Sequence, residues 1–530
     1  MPIERIIVKN YRTLKDVDVK FNRDLNIIVG DNETGKSTLL ESVNFALSCQ
    51  LNRRAAHYEL HPFLFNVAAV DTYIAALRDG QNPAPPEILI ELYFFDDDGL
   101  AELRGLHNSR SEDASGIVLK VTLDFETFAA EYKEYISEPA NVTSVPIEYY
   151  HIEWYSFAGN PIRPQQRPVS CAFVDPSAIT SNYGAHKYII EIVRDYLGKK
   201  QRVDLALSYR KMKDTFLADE SVSAINAALK AKTGEVTDKT LSVSMDTTTR
   251  ASWETGVIPH LDAIPLPLVG KGEQNSIKIK LAVEAEQACD VLLLEEPENH
   301  LTHINLNGLI SHLQTRLSDK QAILTTHSSF VLNKLGVEKI IMFDGANGAS
   351  IADLPATTVN YFRKAPGHDT LRMILAPKSI LVEGPSDELV VQRAFWDKYQ
   401  KLPLESGVEV ISVRALAFKR FLDIAALLKL KVVVVTDNDG CAEKLGEKYA
   451  DYEAHPNIKI CHSADNALRT LEPHLLAANG RDKLNSVFGR YDGTDAELLS
   501  FMEANKSECA LRFLDTGEAV TIPQYIQDAI

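Results

Sequence analysis

The chain has 530 residues, 45% of them apolar and 24% charged, with a net charge of −17. At about 150 residues per domain this length predicts roughly three compartments with sizeable cores, which excludes disordered, collagen-like and small secreted classes. No apolar run approaches the ~18 residues of a membrane span, the six cysteines form no C-x-x-C pair, and the charged N-terminal stretch does not read as a secretory signal. A cytoplasmic protein without a membrane partner is therefore expected. The acidic balance argues against a general nucleic-acid coat protein, but it leaves room for an enzyme that grips DNA locally or through bound cations.

In chain order, Ile3–Val8, Asp16–Phe21 and Leu25–Val29 read as strands. Gly30-Asp31-Asn32-Glu33-Thr34-Gly35-Lys36-Ser37 follows, and Thr38–Val43 has helical character. Strand, glycine-bounded loop and helix is the context a P-loop requires. Such a loop closes its backbone N–H groups around phosphates at a helix N-terminus. Lys36 then reaches the β and γ phosphates of ATP, and the Ser37 hydroxyl joins the Mg²⁺ shell. Gly30, Asn32, Gly35, Lys36, Ser37 and Thr38 are the nucleotide contacts predicted on this ground. A proline-rich linker at 82–86 precedes a strand, Ile88–Phe94, and an acidic turn at 96–99. From Asn182 to Lys232 the pattern turns helical, with Tyr188, Ile189, Ile192, Val193 and Tyr196 three or four apart. These helices read either as a self-association surface or as cover for the domain's own core.

The second half returns to strand–helix alternation. Val269–Ser276, with Gly270 and Gly272, reads as a glycine loop entering a helix at Ile277–Ala288, whose N–H groups suit a phosphate presented by another subunit. The apolar run Val291–Leu294 ends in Glu295 and Glu296. Glu295 is placed to orient the Mg²⁺ shell and Glu296 to polarise an attacking water. Gln321–Thr325 is a strand that delivers His327 toward a γ-phosphate or its water.

A break at 365–377 opens a segment with different chemistry. Ser379–Val382, Gly407–Ser412 and Val432–Gly440 read as strands separated by helices such as Phe418–Leu428, and their continuous β-branched runs predict a small parallel sheet covered on both faces. Ligands of such sheets bind at the carboxyl ends of strands, where Glu383, Asp387, Asp437 and Asp439 fall. Asp437 and Asp439, two apart, can face one way at a strand end. Four hard oxygen donors suit Mg²⁺ or Mn²⁺ and are poor for zinc. Two ions about 4 Å apart would clamp the attacking and leaving oxygens of a phosphodiester. The competing structural readings are a helix N-terminal acid for Asp387 and a turn for Asp437–Gly440.

Lys9-Asn10-Tyr11-Arg12-Thr13-Leu14, the P-loop, the glycine loop, Glu295-Glu296-Pro297-Glu298-Asn299-His300 and His327 together resemble an ABC-type head of the RecF/SMC kind. That resemblance implies two heads sandwiching ATP, each glycine loop completing the opposite site. The loop here reads Val-Gly-Lys-Gly-Glu-Gln in place of the family's Leu-Ser-Gly-Gly-Gln. The C-terminal acids resemble a TOPRIM domain, and a head followed by TOPRIM is similar to the OLD (overcoming lysogenization defect) family of ATP-dependent nucleases. The resemblance extends to Thr470-Leu471-Glu472-Pro473, Asn505-Lys506 and Pro523-Gln524-Tyr525-Ile526. It implies Glu472 as support for a second metal and Lys506 as the cation that stabilises charge developing on the phosphate.

The fold class expected is therefore α/β: an ATPase head in two halves, 1–175 and 251–360, a helical dimerisation insertion at 176–250, and a Rossmann-like TOPRIM domain at 361–530. The function expected is an ATP-regulated, metal-dependent DNA endonuclease in anti-phage defence or DNA processing. Its catalytic residues are Glu296, His327, Glu383, Asp437 and Lys506. Its metal ligands are Ser37, Glu295, Glu383, Asp387, Asp437, Asp439 and Glu472, with Mn²⁺ or Ca²⁺ as substitutes for Mg²⁺ at the TOPRIM site. The partners implied are DNA and a homodimer or higher homo-oligomer. A helicase-like or reverse-transcriptase/msDNA partner from a defence operon is a further arrangement the resemblance allows. Two competitors stand beside this reading: a RecF-like repair ATPase whose TOPRIM domain binds without cutting, and a nuclease directed at RNA such as tRNA.

Overall fold

The computed structural model describes residues 2–31, 33–52, 54–175, 197–232, 239–246, 253, 257–284, 289–316, 320–351, 354–364, 370–413 and 418–530. Asn32 of the P-loop and the expected helical stretch at 182–196 lie outside the described residues. The chain divides into two compact units. One comprises Met1–Val17, Phe21–Asn26 and Ser37–Thr325, and the other Asp18–Lys20, Ile27–Lys36 and Thr326–Ile530.

In the first unit an antiparallel sheet runs Ile3–Tyr11, Ile88–Phe94, Ala114–Leu123, Tyr150–Ser156. Ile88–Phe94 is buried along its whole length, as its near-continuous apolar run requires. The exception in that run, Glu91, is 1% exposed and accepts hydrogen bonds from Ser109 N–H at 2.7 Å, Ser109 Oγ at 2.6 Å and the Tyr93 hydroxyl at 3.1 Å. A buried carboxylate is tolerated when its lone pairs are met in this way. A parallel run of Cys171–Val174, Val291–Glu295 and Gln321–Thr325 carries the acidic strand end. Buried Gln321 exchanges two 2.7 Å bonds with the backbone of Ile3 and donates to Asn22 O at 2.8 Å. These bonds tie the first residues of the chain to a strand more than half its length away. Two helices, Lys199–Leu217 and Glu220–Lys230, occupy the described part of the expected insertion.

The structure corrects the glycine loop. The helix begins at Lys271, not Ile277, and runs to Glu284, so Gly272 sits in its first turn. Gln274 N–H already bonds to Gly270 O at 3.1 Å. Gly272 is needed because a Cβ there would meet the carbonyl oxygen of His300 at 2.3 Å, a close backbone approach that the sequence pattern had suggested was a loop.

In the second unit Ile27–Val29 pairs in parallel with Ile340–Met342, the strand ahead of the P-loop beside a neighbour. The C-terminal sheet is fully parallel, in the order Val408–Ser412, Lys378–Val382, Val432–Val435, Ile458–Cys461. The chain steps from its first strand to one side and then returns to the other. The reversal of strand order therefore falls between Lys378–Val382 and Val432–Val435, where a ligand crevice forms in open α/β sheets. Helices Pro385–Tyr399, Phe418–Leu428 and Ala442–Glu453 make the crossovers. Among the described residues no helix is long and apolar enough to cross a membrane.

Arg393 fastens the C-terminal helices to this sheet. It is 7% exposed, pairs with Asp397 at 2.8 Å, and donates to the carbonyls of Phe513 (3.2 Å), Leu514 (3.0 Å), Thr516 (2.7 Å) and Glu518 (2.9 Å). Its fork saturates the end of the Lys506–Asp515 helix, where a cation is also favoured by the helix dipole. Arg393→Met, which leaves those carbonyls and Asp397 without their donor, should destabilise the unit by about 3–5 kcal/mol. A urea midpoint equal to that of the parent would contradict this role.

Candidate functional site

The P-loop is set by steric demand. A Cβ on Gly30 would meet Phe343 O at 2.3 Å, and Gly35 holds φ +92° with Glu33 at φ +68°. Left-handed backbone on either side of Thr34 is the kind of conformation in which loop N–H groups can form an anion nest. Lys36 is 7% exposed, and its Nζ donates to Gly30 O at 2.8 Å and Asp31 O at 2.7 Å, so it lies folded back along the loop.

In the first unit, Ser37 hydrogen-bonds the Glu295 carboxylate. Burial raises Glu295 above the usual carboxylate range, with Asp175, Glu296 and Glu41 adding like charge and the Ser37 bond opposing. These side chains face a cavity of about 300 Å³ bordered by Arg12, Ser37, Glu41, Asp175 and Glu295. Arg12 pairs with Glu41 at 2.7 Å, and Thr13 Oγ1 bonds Thr38 Oγ1 at 3.3 Å. A hydroxyl beside clustered carboxylates is a hard-oxygen setting suited to Mg²⁺. Asp175, which closes the Cys171–Val174 strand, was not singled out in the sequence; an acid at the end of a short apolar run beside the Glu295 strand was its signal. Glu296 occupies left-handed backbone, φ 39°, and its Oε2 accepts from Asn299 Nδ2 at 2.8 Å while its N–H bonds Thr325 O at 3.1 Å. This strained turn is fixed from both sides.

His327 follows the Gln321–Thr325 strand and is exposed. In the second unit it borders a cavity of about 330 Å³ with Ser329, Arg372 and Glu409. Gly270 and Gly272 stand at the start of the Lys271–Glu284 helix, as described above.

The TOPRIM acids gather at the crevice. Glu383 follows Val382, and its Oε1 accepts from Thr436 Oγ1 at 2.6 Å and Asp437 N–H at 3.0 Å, which links the two strand ends. Gly384-Pro385 opens the next helix, and Asp387 at its third position accepts from Gly384 N–H at 3.0 Å. Glu472, 4% exposed, accepts from Thr470 Oγ1 at 3.0 Å and pairs with Lys506 at 3.1 Å. Asp387 is pushed up to about 7 by burial, then by the charges of Glu383 and Glu472, against its bond from Gly384. Asp437 is pushed up to about 8 by burial, then by Asp387, Glu383 and Glu472, with Lys506 opposing. Lys506 is itself raised: burial lowers it, but Glu472, Asp437 and Asp387 outweigh that. The five side chains thus share one electrostatic field.

Asp439 departs from the alternation argument. The strand ends at Val435, and the chain then turns, with Asp439 at φ 49° and Gly440 at φ 83°. Buried Asn438 pins this turn: its Nδ2 donates to Ser463 O at 3.0 Å and Asp465 O at 2.8 Å, and its Oδ1 accepts from Gly440 N–H at 2.9 Å. Asp437 is left half-buried and Asp439 exposed. Asp439 and Glu383 both act on the Tyr449 hydroxyl.

Among the described residues no three His, Cys, Asp or Glu side chains form a ready cation cage; Glu383, Asp387 and Glu472 are turned to local donors. The donor set nevertheless fits a hard divalent cation. It is all oxygen, for the most part partly buried, and carries more negative charge than Lys506 offsets; desolvation and that charge drive Asp387 and Asp437 toward the protonated form.

Residues 1–155 match the family described as AAA ATPase domain, and residues 374–439 match "Overcoming lysogenization defect protein-like, TOPRIM domain". The chain therefore joins an ATPase domain to an OLD-like TOPRIM domain, as its motifs had led us to expect. A DNA replication and repair protein RecF from Acetivibrio thermocellus is 42% identical over 60 residues, 11% of this chain and 16% of that protein. The chain thus matches only about a sixth of that relative's length. A solved structure of an Smc head bound to the C-winged helix domain of ScpA covers 66% of this chain and 98% of its own at 14% identity and a TM-score of 0.35. RecF–ATPrS covers 66% and 98% at 11% identity and a TM-score of 0.33.

The raised acids give a signed pH dependence. In the folded protein Asp387 and Asp437 hold protons that the unfolded chain sheds near its usual value of 3.8. The stability they contribute is full below that value and is lost as pH rises through about 7 to 8. In EDTA, Asp437→Asn should raise the melting midpoint by about 2–4 °C at pH 9, by clearly less at pH 5, and not at all below the unfolded value of 3.8. An equal effect at both pH values would contradict the crowding of charge at this site.

Proposed function

We propose that this chain is an ATP-regulated, divalent-cation-dependent endonuclease that cuts DNA, working in the cytoplasm as a homodimer in phage defence or DNA processing. The observation that carries the reading is the meeting of Glu383, Asp387 and Asp437, with the Glu472–Lys506 pair beside them, at the strand-order reversal of a parallel sheet. Glu383, Asp387 and Asp437 would hold Mg²⁺ or Mn²⁺, with Asp439 and Glu472 as outer carboxylates. The cation supplies Lewis acidity and a more acidic water at a phosphodiester.

The protein's own groups do the rest. Thr436 and the Asp437 N–H fix the Glu383 carboxylate, and Gly384 fixes Asp387. Glu472 orients Lys506, whose ammonium is half exposed and can meet the charge that develops on a phosphate oxygen. At the other site Lys36 would swing from its loop carbonyls to the ATP phosphates, Ser37 and Glu295 would share Mg²⁺, and Glu296 would polarise the attacking water. His327 is the candidate γ-phosphate sensor. The exposed Leu205, Leu207, Met212, Phe216 and Ile225 on Lys199–Leu217 and Glu220–Lys230 support self-association through these helices. A second reading, a RecF-like repair ATPase that does not cut, is favoured by the RecF-like segment alone.

Glu383→Ala and Asp437→Ala should each lower plasmid cleavage in Mn²⁺ by roughly 10³-fold or more while ATP turnover persists. Glu296→Gln should lower ATP turnover by about 10²–10³-fold with ATP still bound. Plasmid, linear DNA and total RNA supplied in parallel identify the substrate. A parent protein inert toward DNA in Mn²⁺ and Mg²⁺, or an Asp437→Ala variant that still cuts, would reject the proposal.

A further inference from the structure

Tyr525 lies in the short helix Gln524–Gln527, and its side chain is 6% exposed. That helix packs against Pro385–Tyr399, the helix whose first turn carries Asp387. Tyr525 belongs to the same buried core cluster as Val382, Val435 and Leu471, which lead directly into the Glu383, Asp437 and Glu472 segments. The His474 ring holds its ring in place, centroids 5.1 Å apart. Among the described residues the hydroxyl is sealed from solvent and has no hydrogen-bond partner. The ring borders a cavity of about 410 Å³ shared with His462 and His474, yet the oxygen itself does not open to that space. The carboxylates of Asp437, Asp387, Glu383 and Glu472 all act on it.

A buried hydroxyl without a partner is costly, and phenylalanine would fill the same volume without that cost. An unsatisfied donor at the base of the helix and strands that carry a set of carboxylates can take a partner that arrives with a ligand. Hard divalent cations such as Mg²⁺ keep part of their hydration shell, and those waters seek hydrogen-bond partners. We propose that Tyr525 is a positioning residue whose hydroxyl pairs with water bound to a divalent cation held among Glu383, Asp387 and Asp437. This rests on the cation reading above and adds to it a residue that contacts the hydration shell in place of the cation. The role predicts an unusual pair of effects. Removing the hydroxyl should weaken cation binding without weakening the cation-free fold, since in that state the group makes no bond to lose.

The test uses the full chain without nucleotide. Free Mn²⁺ is counted by electron paramagnetic resonance during titration of the parent, Tyr525→Phe and Thr370→Val. Melting midpoints are taken in EDTA. Thr370 is a control because its hydroxyl is also buried without a partner among the described residues, in the helix Thr370–Leu375. Tyr525→Phe should bind Mn²⁺ about tenfold more weakly, with an EDTA midpoint equal to or above the parent's, while Thr370→Val keeps the parent affinity. Parent-like Mn²⁺ affinity in Tyr525→Phe, within about twofold, would overturn this inference and leave the cation site standing. A fall in the EDTA midpoint would assign Tyr525 a packing role and overturn it as well. A parent that binds no Mn²⁺ would overturn both this inference and the cation reading.

Discussion

Like charge confined in a small, partly dry space governs the C-terminal unit. Burial strips hydration from Asp387 and Asp437, and the neighbouring carboxylates then repel them, so both are driven toward holding a proton. Carboxylates kept in such a place need compensation. Some of it is local: the Gly384 N–H, the Thr436 hydroxyl and the ammonium of Lys506. What remains uncompensated is negative charge, and the rest of the unit holds that imbalance in position. The strand-order reversal brings Glu383 and Asp437 to one crevice, Asn438 pins the turn behind Asp437, and Arg393 secures the C-terminal helices that deliver Lys506 and Tyr525.

The nucleotide site follows a related logic with different parts. Gly30 and Gly35 are dictated by backbone approach and by φ, and the loop they form presents N–H groups suited to an anion. In the first unit Glu295, Asp175 and Glu41 place negative charge around the Ser37 hydroxyl, a setting that favours a hard cation. One chain thus carries two acid-rich centres, one at the Ser37 and Glu295 cavity and one at the Glu383, Asp387 and Asp437 crevice. A difference between nucleotide states is what would make the first control the second.

Much of this was legible in the amino-acid order. Ile88–Phe94 and Phe418–Leu428 were readable to the residue because their apolar pattern matches their burial and tertiary packing agrees with local preference, whereas the strand expected at Val432–Gly440 already ends at Val435. The residues that converge on the TOPRIM crevice were readable because acids at the ends of β-branched runs share one edge of a parallel sheet. Four residues resisted. Gly272 looks like a loop residue, yet it is helical, and its lack of a side chain serves the approach of the His300 carbonyl. Asp439 looks like the partner of Asp437 by spacing, but the strand has already ended and a left-handed turn carries it outward. Asp175 and Tyr525 lie far along the chain from the groups they face, so local pattern gives them no chemical meaning until the fold supplies neighbours.

The central claim is that Glu383, Asp387 and Asp437 form a centre that exchanges protons for a divalent cation. Calorimetric titration of Mn²⁺ at pH 7, repeated in buffers of different ionisation enthalpy, measures that exchange. With Asp387 at about 7 and Asp437 at about 8, binding should release roughly one to two protons per cation, and Asp437→Asn should release fewer. Binding with no proton release, or no binding at all, would contradict the account.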